Sequence, residues 1–437
     1  MNWREQCKDK LMSPEEAVAT IKSGDNVTVA PFACTPYTLC GALVQRREEL
    51  AGVRIDHPVS LFPWHQFGAD GAFHLHDLFA SPVNRDLINA GLISYTPVGH
   101  WHAHIIPDGF VAEPDFYLVP VSPPDRLGYC SFGPGVWMSG TYCRQAKTVI
   151  AEVHENFIRT GGENFVHISE IDRLCEATRP TGTVTLPPRT EEEIAVTEVI
   201  CTLVASELVH DRDTLQIGIG TVSAAMAVYL HDKHDLGIQT EMIPGGVTEL
   251  VREGVVTGRY KKLHPGKVVG SVFVALPEEE LALIDGNPVF ELYDFGHTDD
   301  LTLLMREENF VAINNALLVD LTGQVTAEYI GPRVWSGVGG QTVFCIAACY
   351  SPGGRSVSVM PSTSIVNGQR LSRIVPALPE ATVVTVPRTY VDYVVTEYGI
   401  ATHKGKSVKE RIGELISVAH PDLRGELRKE AKRLYSV

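Results

Sequence analysis

The most telling spacing in the sequence joins a glycine loop to a glutamate. Thr214-Leu-Gln-Ile-Gly reads as a strand, Gly218-Ile219-Gly220-Thr221-Val222 as a loop, and Ser223 to about His231 as a helix. Gly237-Ile-Gln-Thr-Glu241-Met follows as a second strand, closed by Pro244-Gly245-Gly246. A strand, crossover helix and strand of this length form a right-handed parallel unit, so both strands end on one sheet edge and Glu241 stands close to the loop. N–H groups at a helix start can hold a phosphate or an oxyanion, and here a carboxylate stands beside them. The bland alternative is a tight turn and a solvated glutamate, because Ser223 falls where a dinucleotide fingerprint needs its third glycine.

Three further groups have the residue types for chemistry. Ser336-Gly337-Val-Gly339-Gly340-Gln341, ahead of the apolar stretch Thr342 to Cys349, repeats the glycine-loop and helix arrangement, with a plain turn as its alternative. Val394-Val-Thr-Glu397 is a β-branched run ending in a carboxylate, and Gly399 precedes Gly405 by six residues, one more than a P-loop allows. His74-x-His76 and His100-x-His102-x-His104 each align imidazoles on one strand face, with His65 nearby. No Cys or carboxylate partner stands at metal-site spacing, so a pocket lining or polar surface is favoured over a metal centre.

The elements that must position these groups alternate along the chain. Ser13-Pro-Glu-Glu16 is a capping box that opens a helix ending near Gly24, and Asn26-Val-Thr-Val is then a strand. Helix and β-branched run recur to about residue 170, an α/β pattern. Residues 176 to 190 are polar with three prolines, which places a domain boundary there: 1–185 and 186–437. Thr190-Glu-Glu-Glu193 caps a long helix with Val196, Ile200, Leu203, Val204 and Leu208 on one face. A second alternation follows, giving two α/β halves.

Lys and Arg number 37 against 53 Asp and Glu, a formal charge of −16. That balance argues against nucleic acid as a partner. No run approaches the roughly 18 apolar residues of a membrane span, and the charged N-terminus is not a signal peptide. The nine cysteines include no C-x-x-C pair, which speaks against both a zinc ribbon and a disulfide framework and makes the cytosol the expected compartment.

Several stretches together resemble one family. "GIGTVSAAMAVYL…DLGIQTEMIPGGVTELVREGVVTG", "LHPGKVVGS", "INNALLVDLTGQVTAEYIG", "SGVGGQ" and "VVTEYGIATHKGKSVKERIGELISVAHPDLRGEL" are similar to the acetyl-CoA hydrolase/transferase family of class I CoA-transferases, nearest its 4-hydroxybutyrate and butyryl branch. "SPEEAVATIKSGDNVTV", "VSPPDRLGYCSFG" and "VIAEVHENFIRTGGENFVHISEID" extend the likeness through the first half. The resemblance implies two similar open α/β domains with the active site in the cleft between them. It makes Glu241 the nucleophile, places the loops Gly218–Val222 and Ser336–Gly340 on CoA, and makes Glu397 and Asn314 active-site support with Gly340. CoA is then a substrate, no metal or other cofactor is needed, and a homodimer or larger assembly is expected.

The implied chemistry suits the residues. A glutamate is ordinarily ionised at neutral pH and needs no dedicated base. It attacks an acyl-CoA thioester to give an anhydride, and the thiolate returns to form a glutamyl-CoA thioester that a second carboxylic acid discharges. Glycine-loop N–H groups suit the developing oxyanions. Departures from the family concern the first half and the second loop: Thr342-Val343-Phe344 lacks the acidic residue expected after Gly-Gly-Gln, and Phe32–Tyr37, Gly99–His104 and Gly135–Gly140 differ from the branch. His65, His100, His102 and Trp137 are accordingly read as an acyl pocket, and imidazoles there point to a dicarboxylic acid such as succinate or itaconate. Competing readings are a thioester hydrolase using the same Glu241 and a non-catalytic CoA-binding protein. A nicotinamide oxidoreductase is disfavoured by the incomplete fingerprint.

Overall fold

The chain divides into two units, Met1–Thr185 with Gly270–Thr298, and Leu186–Val269 with Asp299–Val437. The computed structural model describes every residue except 1, 58–60, 67–70, 100–112, 182–188 and 275–276. The reading of 186–437 as one continuous domain is therefore corrected, because Gly270–Thr298 packs with the first unit. Phe290–Leu292 pairs in parallel with Gly161–Gly162, Asp285 Oδ1 accepts the Arg159 N–H at 2.7 Å, and Phe290 and Leu292 are buried.

In unit 1 the strands lie side by side in the order Arg173–Glu176, Thr148–Val153, Phe116–Val121, Asn26–Val29, Val53–His57, Phe73–Asp77, Ser94–Tyr95. Every neighbouring pair is parallel. The central strands are buried along their length, as parallel strands covered on both faces must be. Ser13 and Glu16 form the expected capping box on the helix Pro14–Val18, which buries Ala17 and Val18 in a core with Val27, Leu39, Leu43 and Ile55.

The strand histidine His76 serves this sheet. It is buried, with Nδ1 2.5 Å from Asp56 Oδ1 and Nε2 2.8 Å from Thr96 Oγ1. Its neighbour Asp77 is 2% exposed and accepts from Asn84 Nδ2 at 2.5 Å. Burial pushes its carboxyl up from 3.8 to about 7. Folding therefore favours the protonated acid, and this contribution to stability is whole below the unfolded value and lost as pH rises toward about 7. Asp77→Asn removes the dependence. The expected result is a variant whose urea midpoint, relative to that of the parent protein, improves steadily between about pH 4 and 7. Parallel profiles would refute this assignment.

In unit 2 the order is Gly399–Thr402, Tyr393–Thr396, Arg355–Val359, Phe310–Asn315, Thr214–Ile217, Gly237–Gln239, Val268–Gly270. All neighbours are parallel except the terminal hairpin of Tyr393–Thr396 with Gly399–Thr402. Thr190 and Glu193 cap the helix Glu191–Glu207 as read. Its buried face is Thr197, Ile200, Cys201, Val204 and Ala205, with Leu208 just beyond, while Val196 and Leu203 flank it. Thr214–Ile217 lies between the next strand in sequence on one side and Phe310–Asn315 on the other. Chain direction through the sheet thus reverses at this strand, and the crevice outside its carboxyl end is where open α/β sheets bind ligands.

Candidate active site

The first glycine loop leaves the sheet at that reversal point. Ser223 Oγ donates to the Gly218 carbonyl at 2.7 Å, and Val222 N–H donates to Asn315 Oδ1 at 3.3 Å. Val222 is buried while Ile219 is 43% exposed, and Thr221 is exposed. Among the described residues the N–H groups of Ile219, Gly220 and Thr221 have no hydrogen-bond acceptor. Three donors at a strand end are thus available to an anion. The expected helix after the loop is a 3₁₀ segment, Ser223–Tyr229, with bonds three residues back from Ala225 N–H to Val222 O and Leu230 N–H to Ala227 O, while Ala224 N–H at its start reaches four back to Gly220 O. The Ser223 hydroxyl and the Asn315 amide hold its first turn.

Asn314 and Asn315 end the adjoining strand. Asn314 and Gln216 exchange amide hydrogen bonds at 2.7 and 3.2 Å, and both are buried. Asn314 Oδ1 also lies 2.7 Å from where a Cβ on Gly218 would sit. A Cβ on Gly220 would overlap the Asn315 side chain. Both glycines are needed because two amide side chains press against the loop. Gly220→Ala is expected to push the loop outward and raise KM for the loop's ligand on the order of tenfold, with kcat changed less. Unchanged KM in steady-state kinetics would contradict that role.

Glu241 follows the strand Gly237–Gln239, immediately beside the loop strand, and is partly exposed. The second glycine loop meets it. A Cβ on Gly340 would overlap Glu241 Oε2 and lie 2.9 Å from Asp299 Oδ2. Ser336 is tied by its N–H to the Glu328 carbonyl at 3.1 Å, Gly339 has φ +58, and Gln341–Tyr350 forms the expected helix. Among the described residues the N–H groups of Gly337, Gly339 and Gly340 also lack acceptors. Val343, where the resemblance leads one to expect an acid, is buried at 1% exposure.

Glu397 stands on the same sheet edge but elsewhere along it. Its strand is four positions from that of Glu241, on the order of 19 Å at usual strand spacing. Ser362 holds both its oxygens, the N–H at 2.8 Å and the hydroxyl at 2.5 Å. Burial lowers the Arg373 guanidinium while Glu397 pulls it back up.

The residues read as an acyl pocket belong to unit 1. His65 is exposed and borders a small cavity with Trp64, Asp77 and Asn84. Trp137 is buried with φ +51, edge-on to Phe32 at 5.7 Å and Phe295 at 5.4 Å. His100 and His102 lie outside the described residues. Among the described residues no group of three or more His, Cys, Asp or Glu gathers as a metal site, and no helix is long and apolar enough to cross a membrane. Reading by motif missed Gln216, Asn315 and Asp299. The Asn-Asn pair at a strand end was a usable signal for Asn315, whereas nothing in sequence marked Asp299.

A parallel sheet with two glycine loops and a glutamate at its ligand-binding edge defines a class that matches known proteins over the whole chain. The family model of the acetyl-CoA hydrolase/transferase N-terminal domain matches residues 1–184, and that of the C-terminal domain matches 278–431. The 4-hydroxybutyrate coenzyme A transferase of Clostridium kluyveri is 37% identical over 437 residues, covering 100% of both chains. The succinyl-CoA:cyclohexane-1-carboxylate CoA transferase of Geobacter metallireducens is 34% identical over 440 residues, covering 100% of this chain and 98% of its own. Among solved structures, RipA from Yersinia pestis has TM-score 0.90 at 30% identity, covering 100% of both chains. A 4-hydroxybutyrate CoA-transferase from Porphyromonas gingivalis has TM-score 0.80 at 31% identity, covering 99% of this chain and 100% of its own. The chain belongs to the acetyl-CoA hydrolase/transferase family. It is an enzyme of CoA-transferase type.

Proposed function

We propose that the protein moves CoA between short-chain carboxylic acids by a ping-pong mechanism on Glu241. The observation that carries the reading is the Glu241 carboxylate seated against Gly340, with unpaired N–H groups in the loops on either side. Relatives named for 4-hydroxybutyrate and for succinyl-CoA with a cyclic carboxylate support the substrate class. Glu241 attacks the thioester carbonyl of the donor, the C–S bond breaks, and CoA thiolate leaves an acyl-glutamyl anhydride. The thiolate then attacks the glutamyl carbonyl, releasing the donor acid and leaving a glutamyl-CoA thioester. An acceptor carboxylate attacks that thioester to form a new anhydride, and the thiolate takes its acyl group, freeing Glu241. Each step exchanges an activated bond for another, so the energy of the thioester is retained. Loop N–H groups stabilise each tetrahedral oxyanion, with a typical contribution of about 3 kcal/mol per donor. No metal or organic cofactor beyond CoA enters, and the site acts in a homodimer or larger homo-oligomer in the cytoplasm.

The test is intact-mass measurement after incubation with acetyl-, butyryl-, 4-hydroxybutyryl- and succinyl-CoA and no acceptor. We expect a covalent CoA adduct, turnover only when acceptor is added, and little free thiol. Rapid thiol release without acceptor would make the protein a hydrolase, and no adduct with any donor would remove the covalent route.

A further inference from the structure

Asn315, which no motif marks, bonds to the closing residues of both glycine loops. Its side chain fastens the first loop at two points. Oδ1 accepts the Val222 N–H at 3.3 Å, and Nδ2 donates to Ser223 Oγ, whose own proton goes to the Gly218 carbonyl at 2.7 Å. One amide thus holds the first and last residues of Gly218–Val222. Its fit is close, since a Cβ on Gly220 would overlap it. The Gly220 carbonyl is taken by the Ala224 N–H at 2.9 Å. Two loop carbonyls are therefore occupied while the N–H groups of Ile219, Gly220 and Thr221 stay available. An amide suits this place because Nδ2 supplies a donor and the group brings no negative charge beside donors meant for an anion.

The main chain of the same residue reaches the second loop. Its carbonyl accepts from Gln341 Nε2 at 3.1 Å, and Gln341 opens the helix Gln341–Tyr350, whose N-cap is Gly340. The end of the strand Phe310–Asn315 is thereby tied to both loops at once. We propose that Asn315 is a positioning residue that fixes the two sets of loop N–H groups relative to each other, with Gln341 as its link to the second loop, so that they act on one acyl-CoA as a single array. The proposal rests on the two loops as the acyl-CoA site. Donors held in advance need no reordering when charge develops on the ligand, whereas separately mobile loops would have to be ordered in every complex.

A double-mutant cycle tests it. Asn315→Ala removes both side-chain bonds and leaves the carbonyl for Gln341, while Gln341→Leu cuts only the link and keeps helix propensity. Both positions are partly exposed, where substitution is usually tolerated. We expect each single variant to lower kcat/KM for acyl-CoA about tenfold, with KM for the acceptor acid within about twofold, a split that a general loss of stability would not produce. The double variant should fall no more than about threefold below the worse single, because an array broken once loses little more. A larger loss in the double variant, toward the product of the singles, would mean that the loops are held independently and would overturn the proposal. So would a loss under about threefold in either single variant, or an equal shift in the acceptor KM. Asn315→Asp keeps shape and the acceptor for Val222 but adds charge, and should do at least as badly as Asn315→Ala; near-normal kcat/KM there would reduce Asn315 to a space-filling role. Should Asn315→Ala not fold, Asn315→Asp takes its place in the cycle with the same limits. The wild-type protein is assayed alongside for its covalent CoA adduct. No adduct in the wild type defeats the functional reading itself, whereas an adduct in the wild type with unaffected variants defeats only the role of Asn315.

Discussion

Glu241→Ala should abolish the covalent CoA adduct and reduce acceptor-dependent turnover by at least about a thousandfold. The expectation is large because in the proposed cycle the residue takes part in every bond exchange, and its neighbours offer no substitute. Glu397 is held at both oxygens by Ser362 and sits on a strand four positions away, while Asp299 is fully buried. Alanine is well tolerated at a part-exposed position following a strand, so the variant should fold and still bind CoA through the loops. Intact-mass spectrometry and steady-state assays on the same preparation read both effects. An adduct surviving the substitution would put the nucleophile elsewhere.

Gly340→Ala should be the next most damaging change, lowering kcat about a hundredfold. Backbone strain is not the cause, since Gly340 has φ −94, a value any residue adopts. The added methyl meets Glu241 Oε2, Phe344 Cε2 and Asp299 Oδ2 together. Phe344 is buried in its own helix and cannot yield cheaply, so the part-exposed Glu241 moves. A displacement near 1 Å at a reacting atom costs about that factor. Gly339→Ala makes a useful contrast: its φ of +58 predicts lost stability through backbone strain, read by thermal melting rather than by kcat. Near-normal kcat in Gly340→Ala would mean that Glu241 is not held where the reaction needs it.

Much of this site was legible before the fold. Gly-x-Gly after the run Thr214–Ile217, with Glu241 ending the next strand, is a local pattern, and parallel pairing follows from the length of the connection. Capping boxes at Ser13 and Thr190 were equally readable, because three residues decide each. What escaped depended on contacts far apart in sequence. Gly220 is crowded by Asn315 and Gly340 by Asp299, and no spacing rule links those positions. The Ala-rich stretch after Ser223 favours an α-helix by propensity, yet it winds as 3₁₀ with its start fastened to the loop and to Asn315. Of the four acyl-pocket residues, Trp137 proved to be a buried ring in an aromatic cluster, which sequence spacing cannot foretell.

The return of Gly270–Thr298 to the first unit has a consequence for biosynthesis. Ribosomes release chains from the N-terminus, and a contiguous first domain can fold while the second is still being made. Here the first unit, whose own sheet is complete by residue 176, lacks two short strands and two helices until residue 298 has emerged, by which time 186–269 has already left the tunnel. At usual elongation rates the delay is on the order of ten seconds. During it the nascent chain exposes the face of the first unit that this segment covers together with the unfinished sheet of the second, so its yield should depend on holdase chaperones more than its final stability would indicate.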